Sequence, residues 1–363
     1  MSTIRSLWQP APRRIAVFRA LNLGDLLCSM PALRTLRRYA AQAHITLIGL
    51  ESERAVVARF SDYIDELVLF PGDPAFPEQP TKADALPQFY RDMQARHFDL
   101  ALQLHGSGVQ SNAIVSALGA KQWAGFVPQR DAEEPGRFMA WPDNQHEIDR
   151  YLSLMAYLGL PAIDRMLEFP LKEADHDEAR HIARAHALDL SRTVFVHPGA
   201  RLASRRWPAE RFAEVARELA SRGWSIVITG SRSERNLAED LVKAAGIPSV
   251  NLCGKTSLGA LASLLQQGRL LISNDTGISH IAAAVKSPSV VVACGSDVRR
   301  WAPLDTERHT VLHAAMACRP CAYDACPLGH GCALAISPQQ VLAMATQQLR
   351  KEPDRVLRPI AVV

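Results

Sequence analysis

LLISNDTGISHIAAAVKSPSVVVACGSDVRRWAP, residues 270–303, is the stretch from which the rest of the chain can be read. It opens with an apolar run, Leu270 to Ser273, that fits a buried strand. Asn274-Asp275-Thr276-Gly277 then supplies short polar side chains and a glycine where the backbone must turn. Ile278 to Lys286 is alanine-rich and predicts a helix closed by Pro288, and Ser289 to Ala293 predicts a second strand. A strand followed by a polar turn and a helix start is an anion site, because unpaired N–H groups and the helix dipole favour a phosphate. Helix capping by Asp275 or Thr276 explains one or two of these residues. It does not explain why an Asp, a Thr, a Gly and His280 all gather at the carboxyl end of one strand.

Outward from that unit the same alternation recurs. Towards the N-terminus, strands are expected at Ile15–Phe18, Ile45–Gly49, Leu67–Phe70, Leu100–Leu104 and Lys121–Phe126, with helices between them, notably Leu26–Tyr39. Pro71–Pro87 and Pro128–Pro142 read as irregular loops, and Gly106-Ser107-Gly108 as a second, weaker anion turn. A helix over His146–Leu158 leads to a connection at Pro161–Pro170. The pattern then restarts at Thr193–Val196 and continues through Ser225–Gly230. Strands alternating with helices predict parallel sheets covered on both faces. A length of 363 residues predicts two such domains. A 48% hydrophobic, 21% charged composition describes a globular chain, and a net charge of +4 falls short of a nucleic-acid footprint. No apolar run approaches the roughly 20 residues that span a bilayer, and residues 1–12 read as a flexible arm without a signal-peptide core. A cytoplasmic location follows as an expectation, with the seven cysteines as thiols.

Several side chains stand out at the turns. Gly24-Asp25 follows the first strand, with Asp25 where an N-cap would sit. His197-Pro198-Gly199-Ala200 follows the strand that begins the second half, and Arg201 and Arg205 precede Trp207-Pro208; a glycine turn plus a cation can hold a diphosphate. Glu234 opens a helix, where an acid complements the dipole. His176, His181 and His186 are spaced by five and share no helix face, so they are expected to be solvated. The first turn reads ALNLGD rather than G-x-G-x-x-G, which disfavours a dinucleotide cofactor, and no G-x-x-x-x-G-K-[ST] loop is present.

Taken together, G-D-x5-P at Gly24–Pro31, H-P-G-A at 197–200, W-P at 207–208 and D-T-G-x-x-H at 275–280 resemble the family 9 glycosyltransferases, the ADP-heptose:lipopolysaccharide heptosyltransferases. The resemblance covers nearly the whole chain and implies an α/β GT-B fold, two Rossmann-like domains facing across a cleft. An acceptor-binding domain would occupy 13–165 and a nucleotide-sugar domain 166–340, and a helix and tail at 341–363 would pack back on the first domain. It implies an inverting transfer of heptose from ADP-L-glycero-D-manno-heptose to the lipopolysaccharide inner core, with Asp25 as general base and no cofactor needed for catalysis. The donor would be held by Gly199, Ala200, Arg205, Glu234 at the ribose, Thr256 beside the adenine, Asp275, Thr276, Gly277 and His280. Arg205 stands where the family has a lysine, and Arg201 rivals it. Three alternatives remain open: another nucleotide-sugar, a protein acceptor, or a nucleotide-sugar-binding protein without turnover.

Two features stand beside the resemblance. Cys318, Cys321, Cys326 and Cys332, with His330 among them, have a spacing that could close a structural zinc or iron site; a metal-free loop is the competing reading. Arg34, Arg37 and Arg38 on one helix could meet an anionic acceptor or the inner membrane peripherally, with a solvated face the simpler expectation.

Overall fold

Apolar runs too uniform to have a wet side become strands buried on both faces, and that is how both halves of this chain are built. The structure is a computed structural model that describes residues 7–351. The chain divides between Leu167 and Glu168 into two units. The first contains strands β1 (Arg14–Phe18), β2 (His44–Gly49), β3 (Glu66–Leu69), β4 (Leu100–Gln103), β5 (Gln122–Val127) and β6 (Phe138–Ala140). Its helices are α1 (Leu23–Tyr39), α2 (Arg54–Val57), α3 (Leu86–Ala95), α4 (Ser111–Ala117) and α5 (Glu147–Tyr157). The second contains β7 (Thr193–His197), β8 (Ser225–Ile228), β9 (Val250–Asn251), β10 (Leu270–Asn274), β11 (Ser289–Val292) and β12 (His309–Leu312). Its helices are α6 (Glu173–Ala185), α7 (Ala209–Ser221), α8 (Arg235–Ala245), α9 (Leu258–Gln267), α10 (Gly277–Ala284), α11 (Val298–Trp301), α12 (Gly331–Leu334) and α13 (Pro338–Lys351).

Each sheet has six parallel strands. The orders are β3-β2-β1-β4-β5-β6 and β12-β11-β10-β7-β8-β9, the doubly wound Rossmann order twice over. In such a sheet the strand order reverses once, and a ligand crevice opens at the carboxyl ends of the two strands flanking that reversal. In the first unit those strands are β1 and β4, registered as Phe18 against Gln103. In the second they are β7 and β10, registered as His197 against Ser273. The turn carrying Asp25 leaves β1, the His197–Ala200 turn leaves β7, and Asp275–Gly277 leaves β10. These three turns therefore lie at points where this architecture binds ligands.

Several local expectations are corrected. The arm is docked from residue 7 onward: Leu7 is buried and the Trp8 indole N–H donates to the Leu158 carbonyl at 2.6 Å. Residues 128–142, read as a loop, contain β6, a short edge strand with one neighbour that needs no continuous apolar run. The basic face of α1 is not simply solvated. Arg34 pairs with Asp164 and the Met166 carbonyl, and Arg37 with Asp65 and the carbonyls of Ala43 and Tyr63, so both side chains lock α1 to neighbouring loops. His176 accepts or donates a 2.9 Å hydrogen bond with Ser263, joining α6 to α9. Helix α13 packs on α7, β10 and β11 of its own unit, and the tail expected to cross onto the first domain falls at 352–363, outside the described residues. Among the described residues, no helix is long and apolar enough to cross a membrane.

Candidate active site

The first unit presents Asp25. Its helix begins earlier than expected, with Asn22 at the N-cap, so Asp25 lies inside the first turn of α1 instead of capping it. An acid there is favoured by the helix dipole by about 0.3–1 kcal/mol. The side chain is half-buried. Beneath it lies Arg19, wholly buried, a residue that a sequence reading passes over as part of a loop. The Arg19 guanidinium donates to the Asp25 and Leu104 carbonyls and lies 4.3 Å from the centroid of the Tyr151 ring and 3.8 Å from the Glu147 carboxylate. Burial alone would lower its pKa, but Tyr151, Asp25 and Glu147 together drive it upward, so Arg19 stays charged. Glu147 also accepts from Arg150 and from the Tyr151 hydroxyl (2.9 Å), and Arg150 lies over the Trp141 ring at 4.1 Å. This buried cluster ties the start of α1 to the end of β4 and to α5.

His105, at the end of β4, stacks on Phe18 and Phe76, with ring centroids 5.2 and 4.2 Å away, and its Nδ1 accepts the Ala20 N–H at 3.2 Å. Burial, reinforced by Arg19, pushes its pKa down to about 3. The unfolded chain then binds a proton between the ordinary 6.5 and about 3 that the folded chain refuses, so His105 costs stability progressively as pH falls through that window. At most about 5 kcal/mol is at stake. Urea unfolding from pH 7 to 3.5 should show a His105→Gln variant losing visibly less stability than the parent; parallel losses would contradict this. The Gly106–Gly108 turn beyond is braced internally, Gln103 donating to Ser111 Oγ and to the His105 and Gly106 carbonyls. At Gly108 (φ 94°) a Cβ would come within 2.5 Å of the Phe126 carbonyl, so the glycine serves the turn itself.

The second unit gathers most of the donor-binding candidates around Asn274, the last residue of β10. Its buried side chain donates to the Pro198 and Gly199 carbonyls (2.7 and 3.4 Å) and accepts the Trp207 N–H at 2.8 Å. One amide thereby fastens the His197–Ala200 turn beside the start of α10 and fixes Trp207, whose indole N–H donates to the Ile336 carbonyl at 3.1 Å. Asn274 reads from sequence as an ordinary turn residue, and its role appears only with the fold. Thr276 is the N-cap of α10 by position but makes no side-chain capping bond, and its carbonyl accepts from the Ser279 N–H and hydroxyl. The first-turn N–H groups of a helix find no partner within the helix itself, so this end is suited to an anion. His280 is buried on α10, edge-on to Trp301 at 6.1 Å.

Gly199 is required by Glu234: a Cβ built there would meet Glu234 Oε1 at 2.0 Å. The other oxygen of Glu234 accepts from the Ser231 N–H (2.7 Å) and hydroxyl (2.8 Å), a capping box at the helix start. His197 beneath is buried, with its pKa lowered by burial against the opposing pull of Glu234. Ala200 is buried, and its carbonyl accepts from Arg206 Nε at 2.8 Å, a contact the motif reading did not anticipate. Arg205 is half-buried; its guanidinium reaches the Cys321 carbonyl at 3.4 Å, while Nε has no protein partner. Arg201 is exposed. Thr256 lies half-buried in the turn before α9, two residues beyond Gly254, whose N–H donates to the Gly230 carbonyl at 2.9 Å.

The expectation of a metal at Cys318, Cys321, Cys326 and Cys332 is not met: among the described residues no three His, Cys, Asp or Glu side chains are arranged to hold an ion. Cys332 is buried in the core with Cys294, the Cys321 sulfur lies against Gly295, and His330 Nε2 hydrogen-bonds the Ser204 carbonyl at 2.8 Å. Burial raises the Cys332 thiol and pushes Cys294 up to about 12. The segment instead straps the loop that carries Arg205, through Ser204 N–H to the Asp324 carbonyl (3.1 Å) and Cys321 N–H to the Gly295 carbonyl (2.8 Å).

Comparison with known proteins identifies the family. The profile of glycosyltransferase family 9 (heptosyltransferase) matches residues 87–331. Lipooligosaccharide heptosyltransferase 2 of Campylobacter jejuni is 25% identical over 338 residues, covering 90% of this chain and 96% of its own. Among solved structures, a family 9 glycosyltransferase from Veillonella parvula superposes with a TM-score of 0.75 at 23% identity, over 94% of this chain and 98% of its own. The Escherichia coli ADP-heptose lipopolysaccharide heptosyltransferase II gives 0.72 at 20% identity, over 94% and 100%. The α/β fold is therefore that of the GT-B enzymes, and this chain belongs to glycosyltransferase family 9, the heptosyltransferases.

Proposed function

We propose that the protein transfers heptose from ADP-L-glycero-D-manno-heptose to a hydroxyl of the lipopolysaccharide inner core, inverting the anomeric carbon, with Asp25 as general base. The observation that carries this reading is the α10 N-terminus, its Thr276 hydroxyl making no capping bond, held beside the His197–Ala200 turn by Asn274. Together they offer a diphosphate two turns at the switch point of one sheet. Family membership supports heptose as the sugar. In this reading the first unit presents the acceptor and the second holds the donor.

The acceptor O–H loses its proton to the Asp25 carboxylate as its oxygen bonds to the anomeric carbon. The bond from that carbon to the diphosphate breaks, and ADP leaves with the electron pair. The charge that builds on ADP falls to Arg205 and the N–H groups of Thr276 and Gly277, with His280 behind them on the same helix. Asp275 shapes the pocket. Glu234 is held at the Gly199 turn, where it can meet the ribose, and Thr256 lines the adenine side. Arginine in place of lysine keeps the positive charge and adds a planar donor fork suited to phosphate oxygens. Product mass spectrometry with ADP-heptose and other nucleotide-sugars, on core oligosaccharides of defined truncation, tests this. A heptose-sized mass increase from ADP-heptose alone is expected; a different transferred sugar, or donor binding without any product, would overturn it.

A further inference from the structure

Glu53 is an acid in an unusual place. It follows β2 at Gly49, is 2% exposed, and its Oε2 accepts the Leu50 N–H at 2.6 Å. The carboxyl also faces the Leu21 N–H, in the turn from β1 into α1 that leads to Asp25. It occupies the space above Gly49 so fully that a Cβ there would lie 2.1 Å from Oε2 and 3.3 Å from the Arg19 carbonyl. Its second oxygen, Oε1, is buried without a hydrogen-bond partner. The capping contact to Leu50 accounts for one oxygen and for nothing else about this site.

We propose that Glu53 is a positioning residue for Asp25, a buried acid wedged as a strut between the ends of β1 and β2 beneath the turn that carries the base. This rests on the reading of Asp25 as the base. The charged groups that face Glu53 are Arg19, from the end of β1, and Asp25, from α1. Burial pushes the Glu53 pKa up to about 8, outweighing the Leu50 hydrogen bond and Arg19. At neutral pH it is therefore a neutral acid, and an unpaired neutral oxygen is far cheaper to bury than an unpaired charge. Neutrality also keeps a like charge away from Asp25. Above pH 8 a second carboxylate forms in that space, repels Asp25 and disturbs the turn, so turnover falls. Folding follows the same proton. The folded state holds it more tightly than the unfolded chain, so Glu53 costs stability as pH rises from 4.5 to about 8, and no more beyond.

The experiment compares Glu53→Gln, Glu53→Ala and Asp25→Asn in the full-length protein, with kcat and donor KM measured from pH 6 to 9.5. Glu53→Gln keeps shape and neutrality, so kcat at pH 7 should stay within about threefold of the parent, and the alkaline decline centred near pH 8 should vanish. Glu53→Ala should lower kcat about thirtyfold with donor KM unchanged, short of the roughly hundredfold that a 1 Å misplacement can cost. Melting curves of Glu53→Gln should lack the loss between pH 5 and 8. The proposal is overturned if Glu53→Ala turns over like the parent, if Glu53→Gln is as slow as Glu53→Ala, or if parent and Glu53→Gln profiles superimpose above pH 8. If Asp25→Asn is inactive while the Glu53 variants behave as the parent, the strut alone fails. Full activity in Asp25→Asn would remove the base assignment itself.

Discussion

Replacing Asp25 with asparagine should lower kcat by about 10²–10⁴, the range that general base catalysis supplies, and leave ADP affinity within about twofold. Asparagine matches the carboxylate in shape but cannot take a proton. The helix-dipole contribution lost with the charge is at most about 1 kcal/mol, too little to unfold a unit whose α1 is also anchored through Arg34 and Arg37. The donor candidates all belong to the second unit, so calorimetric titration with ADP separates chemistry from binding. Single-turnover kinetics reads the first quantity directly. Turnover within tenfold of the parent would show that another group, or water, accepts the proton.

The second large effect concerns stability. Glu147 pairs with both Arg19 and Arg150 in their buried cluster, and all three side chains are at most 1% exposed. Glu147→Gln leaves two guanidiniums in a dry site without that counter-charge, and a broken buried pair costs about 3–5 kcal/mol. By contrast, exposed pairs such as Arg54–Glu51 contribute about 0–1 kcal/mol, so Glu51→Gln serves as the control. Hydrogen exchange resolved by mass spectrometry should show β1 and α5 losing that much protection in Glu147→Gln alone, with β7 and β10 unchanged. A change below about 1 kcal/mol would mean that the cluster relaxes to admit water.

What the amino-acid sequence discloses, and what it conceals, divides along physical lines. Central strands such as Leu270–Asn274 and Thr193–His197 are buried on both faces, so their apolar runs are legible, and glycine turns mark where they end. The turns that leave central strands carry the candidates Asp25, Gly199 and Thr276, which is why these are legible. Edge strand β6 is neither long nor uniformly apolar, and it reads as loop. Arg19 and Asn274 were overlooked for a different reason. Their partners lie far along the chain, Arg19 with Glu147 and Asn274 with Pro198, so no local pattern reveals that a charged or amide side chain is buried. Cysteine spacing misleads in the opposite direction: four thiols close in sequence suggest an ion site, yet one of them packs into the core and, among the described residues, no group arranged to hold a metal is formed.

The central claim is that a carboxylate on one unit activates an alcohol while the other unit carries away ADP. Its most direct test is the anomeric configuration of the heptosylated core product, determined by NMR after reaction of the parent protein with ADP-heptose. The account predicts a single product, inverted relative to the donor, with one ADP released per linkage formed. Retention of configuration would contradict it, because a lone general base acting in one displacement cannot return the anomeric carbon to its starting hand.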